Sequence, residues 1–138
     1  MYTSKDAIKL ISTRNILFIG ISILEASYCG KTQTPEQEVI HQISVLQCYI
    51  SVIDSLFSIL NYTEAFVVRS KLVDGMDWQQ ISKRYEQIWG IGEGRTVRTF
   101  QLKFRSGITK IAYIMNQNST TVWDAILEAQ SYCLLDHE

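Results

Sequence analysis

A single proline, Pro35, stands in 138 residues, and this narrows what the chain can fold into more than any other feature. Proline removes an interior helical hydrogen bond and clashes with the preceding turn, so a chain nearly free of it can run helix over long stretches. Glycine is almost as sparse. Of seven residues, four gather at Gly75, Gly90, Gly92 and Gly94. Between these breakers apolar residues recur at helical spacing, which predicts an all-α fold.

The expected helices follow from start and stop chemistry. Residues 4–28 form a first helix on Ile8, Ile11, Ile16, Ile19, Ile23 and Ala26, with Gly20 as a weak point. Thr34-Pro35-Glu36-Gln37 opens a second, because threonine caps and proline suits the first helical position. It runs to Leu60, with Val39, Ile40, Ile43, Leu46, Ile50, Ile53, Leu56 and Phe57 apolar. The short loop between the two makes an antiparallel hairpin. Asn61 and Glu64 then form a capping box, as do Asp77 and Gln80. Asp74-Gly75 and the glycines from Gly90 to Gly94 supply the turns. A helix from near Arg95 to Asn116 and one from Thr121 complete the chain. The expected organisation is a helical hairpin over 1–60, a helix-turn-helix over 61–116, and a C-terminal helix with an acidic tail over 117–138.

Hydrophobic residues make up 46% and charged residues 20%, which excludes a disordered chain. Cys29, Cys48 and Cys133 lack metal-ligand spacing and read as buried or half-buried thiols of a reducing compartment. His41 and His137 have no partner at ligand spacing. No signal peptide is visible, and the apolar run Asn15 to Leu24 is too short to span a bilayer, so a cytoplasmic protein without membrane attachment is expected. No catalytic residue, metal site or cofactor is expected, and the chain does not read as an enzyme. Gly90, Gly92 and Gly94 lack the preceding strand and the Gly-Lys-Ser/Thr of a phosphate loop.

The net charge of -1 hides a strong asymmetry. Residues 1–60 carry four Lys/Arg against five Asp/Glu, and residues 111–138 carry four acids and no Lys/Arg. Residues 61–110 carry nine Lys/Arg against five acids, a balance of +4. From Gly94 to Lys110 there is no acid, but there are Arg95, Arg98, Lys103, Arg105 and Lys110. A localised basic block is the electrostatic footprint of a polyanion-binding surface. It falls on the last of three helical segments separated by two turns, the layout of a helix-turn-helix. Val97, Phe100 and Phe104 share the inward face of that helix. Arg95, Thr96, Arg98, Thr99, Lys103 and Arg105 are left to meet DNA, the first four in the groove and the last two nearer phosphate. Trp78 and Ile81 are expected in the core of the motif.

The strings LNYTEAFVVRSKLVDGMDWQQISKRY and EGRTVRTFQLKF resemble the region-four module of sigma factors. Glu64, Val67-Val68-Arg69, Gly75, Trp78, Ile81 and Arg95-Thr96-Val97-Arg98 carry the likeness over about fifty residues. With the hairpin before it, the chain resembles small phage-encoded transcriptional regulators of the ArpU and RinA type. That resemblance implies sequence-specific binding of double-stranded DNA, regulation of transcription for a phage or mobile element, and RNA polymerase as a further partner. The broad apolar face of residues 1–60 implies a homodimer. The competing expectations are a small terminase-like DNA-packaging subunit and a protein-binding inhibitor on a helix-turn-helix scaffold. The stretch from Glu86 to Glu93 is longer than the tight turn such modules use.

Overall fold

The computed structural model describes residues 1–29, 37–90, 96–117 and 121–135, leaving aside the side chains of 27–29 and 130–135. Among these residues there are six α-helices and no strand: α1 Ser4–Cys29, α2 Gln37–Leu56, α3 Tyr62–Leu72, α4 Trp78–Trp89, α5 Val97–Gln117 and α6 Val122–Leu135. The all-α class is observed, with the elements in the expected order. A 3-10 turn, Phe57–Ile59, extends α2. The expected cap at Thr34 and the turn residues Gly92 and Gly94 lie outside the described residues. Gly20 does not break α1.

Both capping boxes are formed. The Asn61 side chain accepts from the Glu64 amide at 2.9 Å, while Glu64 accepts from the Asn61 amide at 3.0 Å. Asp77 and Gln80 repeat the exchange at 2.8 and 2.9 Å. Each box satisfies amides that would otherwise lack a partner at a helix start. Between the two helices Gly75 has φ 68°, a backbone region that side chains disfavour. The turn closes as the Met76 amide donates to the Ser70 carbonyl at 3.0 Å.

Two buried clusters hold the helices together. The larger joins Ala7, Leu10, Ile11 and Leu17 of α1 to Ile50, Ile53 and Leu56 of α2, Val68 of α3, Ile108, Ile111 and Met115 of α5, and Trp123 and Ile126 of α6. The smaller consists of Val67, Ile81, Tyr85 and Phe100, with Phe66, Met76, Trp78, Trp89 and Phe104 packed around it. α3 is the partition, because adjacent Val67 and Val68 point into different clusters. One core therefore runs from the hairpin through α5 to α6. A bidentate pair also ties α1 to α2, Arg14 Nε to Asp54 Oδ1 at 2.6 Å and Nη2 to Oδ2 at 3.3 Å. At the other end of α1 the Tyr2 hydroxyl donates to Asp124 at 2.8 Å, and the Tyr2 backbone exchanges hydrogen bonds with Asn116.

The buried face of α1 differs from the expected one. Ala7, Leu10, Ile11, Leu17 and Ile21 are inside, whereas Ile19 and Ile23 are exposed. α1 is apolar nearly all round, so several stripes satisfy helical spacing and only packing selects one. Cys48 is exposed, not buried or half-buried as expected. α1, and α2 together with the 3-10 turn that follows it, contain continuous 23-residue helical stretches, Ser4–Ala26 and Gln37–Ile59, whose most apolar 18-residue windows have mean hydropathy 1.6 and 1.4. By length and composition each could cross a membrane, which the shorter run read from the sequence does not suggest.

Candidate nucleic-acid interface

α3, α4 and α5 pack as a three-helix unit on the smaller cluster. Ile81 and Phe100 are fully buried at its centre. Trp78 is only partly buried, contrary to expectation. Its ring meets Phe104 edge-on at 5.7 Å, and Lys71 Nζ lies 4.9 Å from its centre. Trp89 stacks on Tyr85 at 4.5 Å and meets Phe66 at 5.2 Å, so α4 runs on to Trp89 and uses the ring to hold α3.

A buried carboxylate locks α3 to α5. Glu64 is 1% exposed. It accepts from Lys110 Nζ at 2.7 Å and from the Ser106 hydroxyl as well as from the Asn61 amide. Burial pushes its pKa up, but the Lys110 and Ser106 donors and the Asn61 amide pull it down further, so the group ends below the ordinary carboxylate range. Next to it α3 and α5 approach closely at Gly107, where a Cβ would lie 2.9 Å from Val68 Cγ2.

This packing leaves the opposite side of α5 to solvent. Val97 and Phe104 are partly buried and Phe100 fully, in agreement with the expected inward face. Arg95 lies outside the described residues. The helix begins at Val97, and Thr96 caps it, its hydroxyl 3.4 Å from the Thr99 amide and its carbonyl 2.9 Å from the same amide. Arg98 and Arg105 are exposed. Seven residues of α-helix bring a side chain back to within about 20° of its starting direction, so these two arginines share one stripe. Thr99 and Lys103 are half-buried on the flank where Ser106 and Lys110 turn toward Glu64. Lys103 and Arg105, expected together nearer phosphate, thus stand on different sides of α5, and Thr99, expected with Arg98 in the groove, stands on the side of Lys103.

The electrostatics of this face are one-sided. α5 holds Arg98, Lys103, Arg105 and Lys110 and no acid. Lys110 is neutralised by Glu64. Among the described residues Arg98, Lys103 and Arg105 have no acid within ion-pair distance. Gln101 and Thr109 are exposed beside them, as is Leu102, which sequence reasoning does not single out. At the base of α5 a groove of about 560 Å³ is lined by Ser4, Ile8, Trp78, Gln101, Phe104, Arg105 and Ile108. Among the described residues no three His, Cys, Asp or Glu side chains come together to hold a metal ion. Comparison with family models, curated proteins and solved structures finds no match to this chain.

Proposed function

We propose that this chain is a sequence-specific double-stranded DNA-binding regulator of transcription, which dimerises through its helical hairpin and reads the major groove with α5. The solvent side of α5 carries the reading: Arg98 and Arg105 on its outward face beside Gln101 and Thr109, and Lys103 with Thr99 on its flank, the three cations without acid partners among the described residues, on a helix braced from behind by α3 and α4. An α-helix with its side chains is about 10–12 Å across and the major groove about 12 Å wide. The residues on this face are those that bond base edges and phosphates. The resemblance to ArpU- and RinA-type regulators extends the reading to a phage or mobile element, with RNA polymerase as a further partner. The protein then works in the cytoplasm. There the apolar length of α1 and α2 serves packing, and Ser44, Gln47, Ser51 and Ser55 give α2 a polar outer side.

Fluorescence anisotropy with labelled duplex over a salt series tests the proposal. Affinity should fall linearly with salt on logarithmic axes, with a slope of about 0.9 per phosphate neutralised. The double reversal Arg98→Glu, Arg105→Glu should abolish binding at low salt. Absence of binding by the unmodified chain, or binding indifferent to the reversal, overturns the reading in favour of a protein-binding scaffold.

A further inference from the structure

We infer that Leu102 reads a thymine, laying its side chain against the 5-methyl group of that base in the major groove. The inference rests on the DNA-binding reading of α5 and adds to it the base at the centre of the half-site. Leu102 is 50% exposed, on the same outward face as Arg98, Arg105 and Thr109. Arg98 precedes it by four residues and Arg105 follows by three. On an α-helix the three side chains lie within about 60° of one another around the axis, and Arg98 and Arg105 stand about 10.5 Å apart along it. That span covers about three base steps of 3.4 Å, so each side chain meets a different base.

The chemistry of the groove decides which base lies between the arginines. Guanine shows two acceptors there, adenine an acceptor and an amino donor, and cytosine an amino donor. A leucine end against any of these strips water from a polar group without replacing the hydrogen bond. Thymine shows an acceptor as well, but it alone adds a methyl group that a leucine end can cover without stripping water from a polar atom. Leu102 therefore favours thymine by apolar contact and disfavours the other bases by desolvation. The arginines on either side suit guanine O6 and N7 or the neighbouring phosphates. The expected half-site core has a thymine between two positions where guanine is preferred.

Sites selected from random duplexes by the unmodified chain and by Leu102→Ala provide the substrate for the test. Each thymine of the selected site is then replaced singly by deoxyuridine, which removes only the methyl group. At one position the replacement should weaken binding by the unmodified chain about fourfold, the value of one buried methyl-sized group. Leu102→Ala should bind the thymine duplex about as weakly as the unmodified chain binds the uridine duplex, and should not respond to the replacement. Its melting curve should stay within a degree or two of the unmodified chain, because the side chain is half in water. If a motif is selected but no replacement matters, or if Leu102→Ala keeps the same loss, the thymine inference falls and the DNA reading stands. If the unmodified chain selects no motif, the sequence-specific reading falls and takes this inference with it.

Discussion

Glu64 shows how a single side chain couples helix initiation to tertiary packing. One carboxylate oxygen completes the cap of α3 and accepts from Lys110, while the other accepts from Ser106, forty-two residues away. Because its folded pKa lies below the unfolded value, its ionised form stabilises the fold. That contribution is full above about 4.5, the ordinary value, and is lost as pH falls through the depressed one. Thermal melts from about pH 6 to pH 3 should show stability falling for the unmodified chain and a shallower fall for Glu64→Gln. Equal slopes would remove Glu64 from the acid response. Gly107 makes a second point at the same scale. A glycine inside a helix normally weakens it by roughly 0.5–1 kcal/mol against alanine. Here an added Cβ meets Val68 Cγ2 at 2.9 Å. The overpacking of about 1–3 kcal/mol outweighs the helical gain, so Gly107→Ala should lower stability in urea by about 1–2 kcal/mol. Pairing it with Val68→Ala should cost less than the two changes added separately. Strict additivity would mean the two side chains do not collide.

Elements were legible wherever their determinants are local. Asn61 with Glu64 and Asp77 with Gln80 can be read as caps because donor and acceptor stand three residues apart. The inward set Val97, Phe100 and Phe104 is legible because charges occupy the other side of α5. In α1 no such contrast exists, so its buried stripe emerges only from contact with α2, α5 and α6. The Glu64–Lys110 pair and the close approach at Gly107 are long-range and leave no local signal. At Trp78 the sequence shows a large apolar residue after a turn, but its half-buried state depends on Phe104 and Lys71. In the proposed complex the roles of the α5 cations would follow from helix geometry rather than order along the chain. Arg105→Ala should behave like Arg98→Ala, costing about 1–3 kcal/mol and relaxing preference at one base position. Lys103→Ala, on the flank, should weaken all duplexes alike and lower the salt slope by about one unit. Site selection combined with salt titration separates the two effects. An altered motif with Lys103→Ala would reverse the assignment.

For the molecule as a whole, the hairpin outgrows the core that covers it. From Ser22 to Ala26 on α1 and from Gln37 to Tyr49 on α2 no residue is buried. Phe18, Ile19 and Ile23 of α1 and Ile40 of α2 are each 44–52% exposed. α6 is the element in the chain best placed to cover them, but it begins beside Tyr2, and fourteen residues extend about 21 Å. Laid fully along α1, it reaches no further than about Leu17. Two antiparallel helices with an apolar stripe left open can form half of a four-helix bundle, and in the proposed dimer a second hairpin related by a two-fold axis would complete it. The same axis would present two copies of α5 to two half-sites of DNA. Sedimentation at tens of micromolar should give a mass about twice 15.9 kDa. Melting temperature should rise with protein concentration, since association stabilises the folded chain by mass action. Charge placed on the open stripe, as in Ile19→Glu with Ile23→Glu, should yield a folded monomer, because both side chains are already half in water. That monomer should keep the non-specific, salt-sensitive binding of one α5 and lose the tighter binding of paired half-sites. A monomer from the unmodified chain at this concentration would leave the open stripe without its second copy. A ring of many copies would move the proposal toward a packaging subunit.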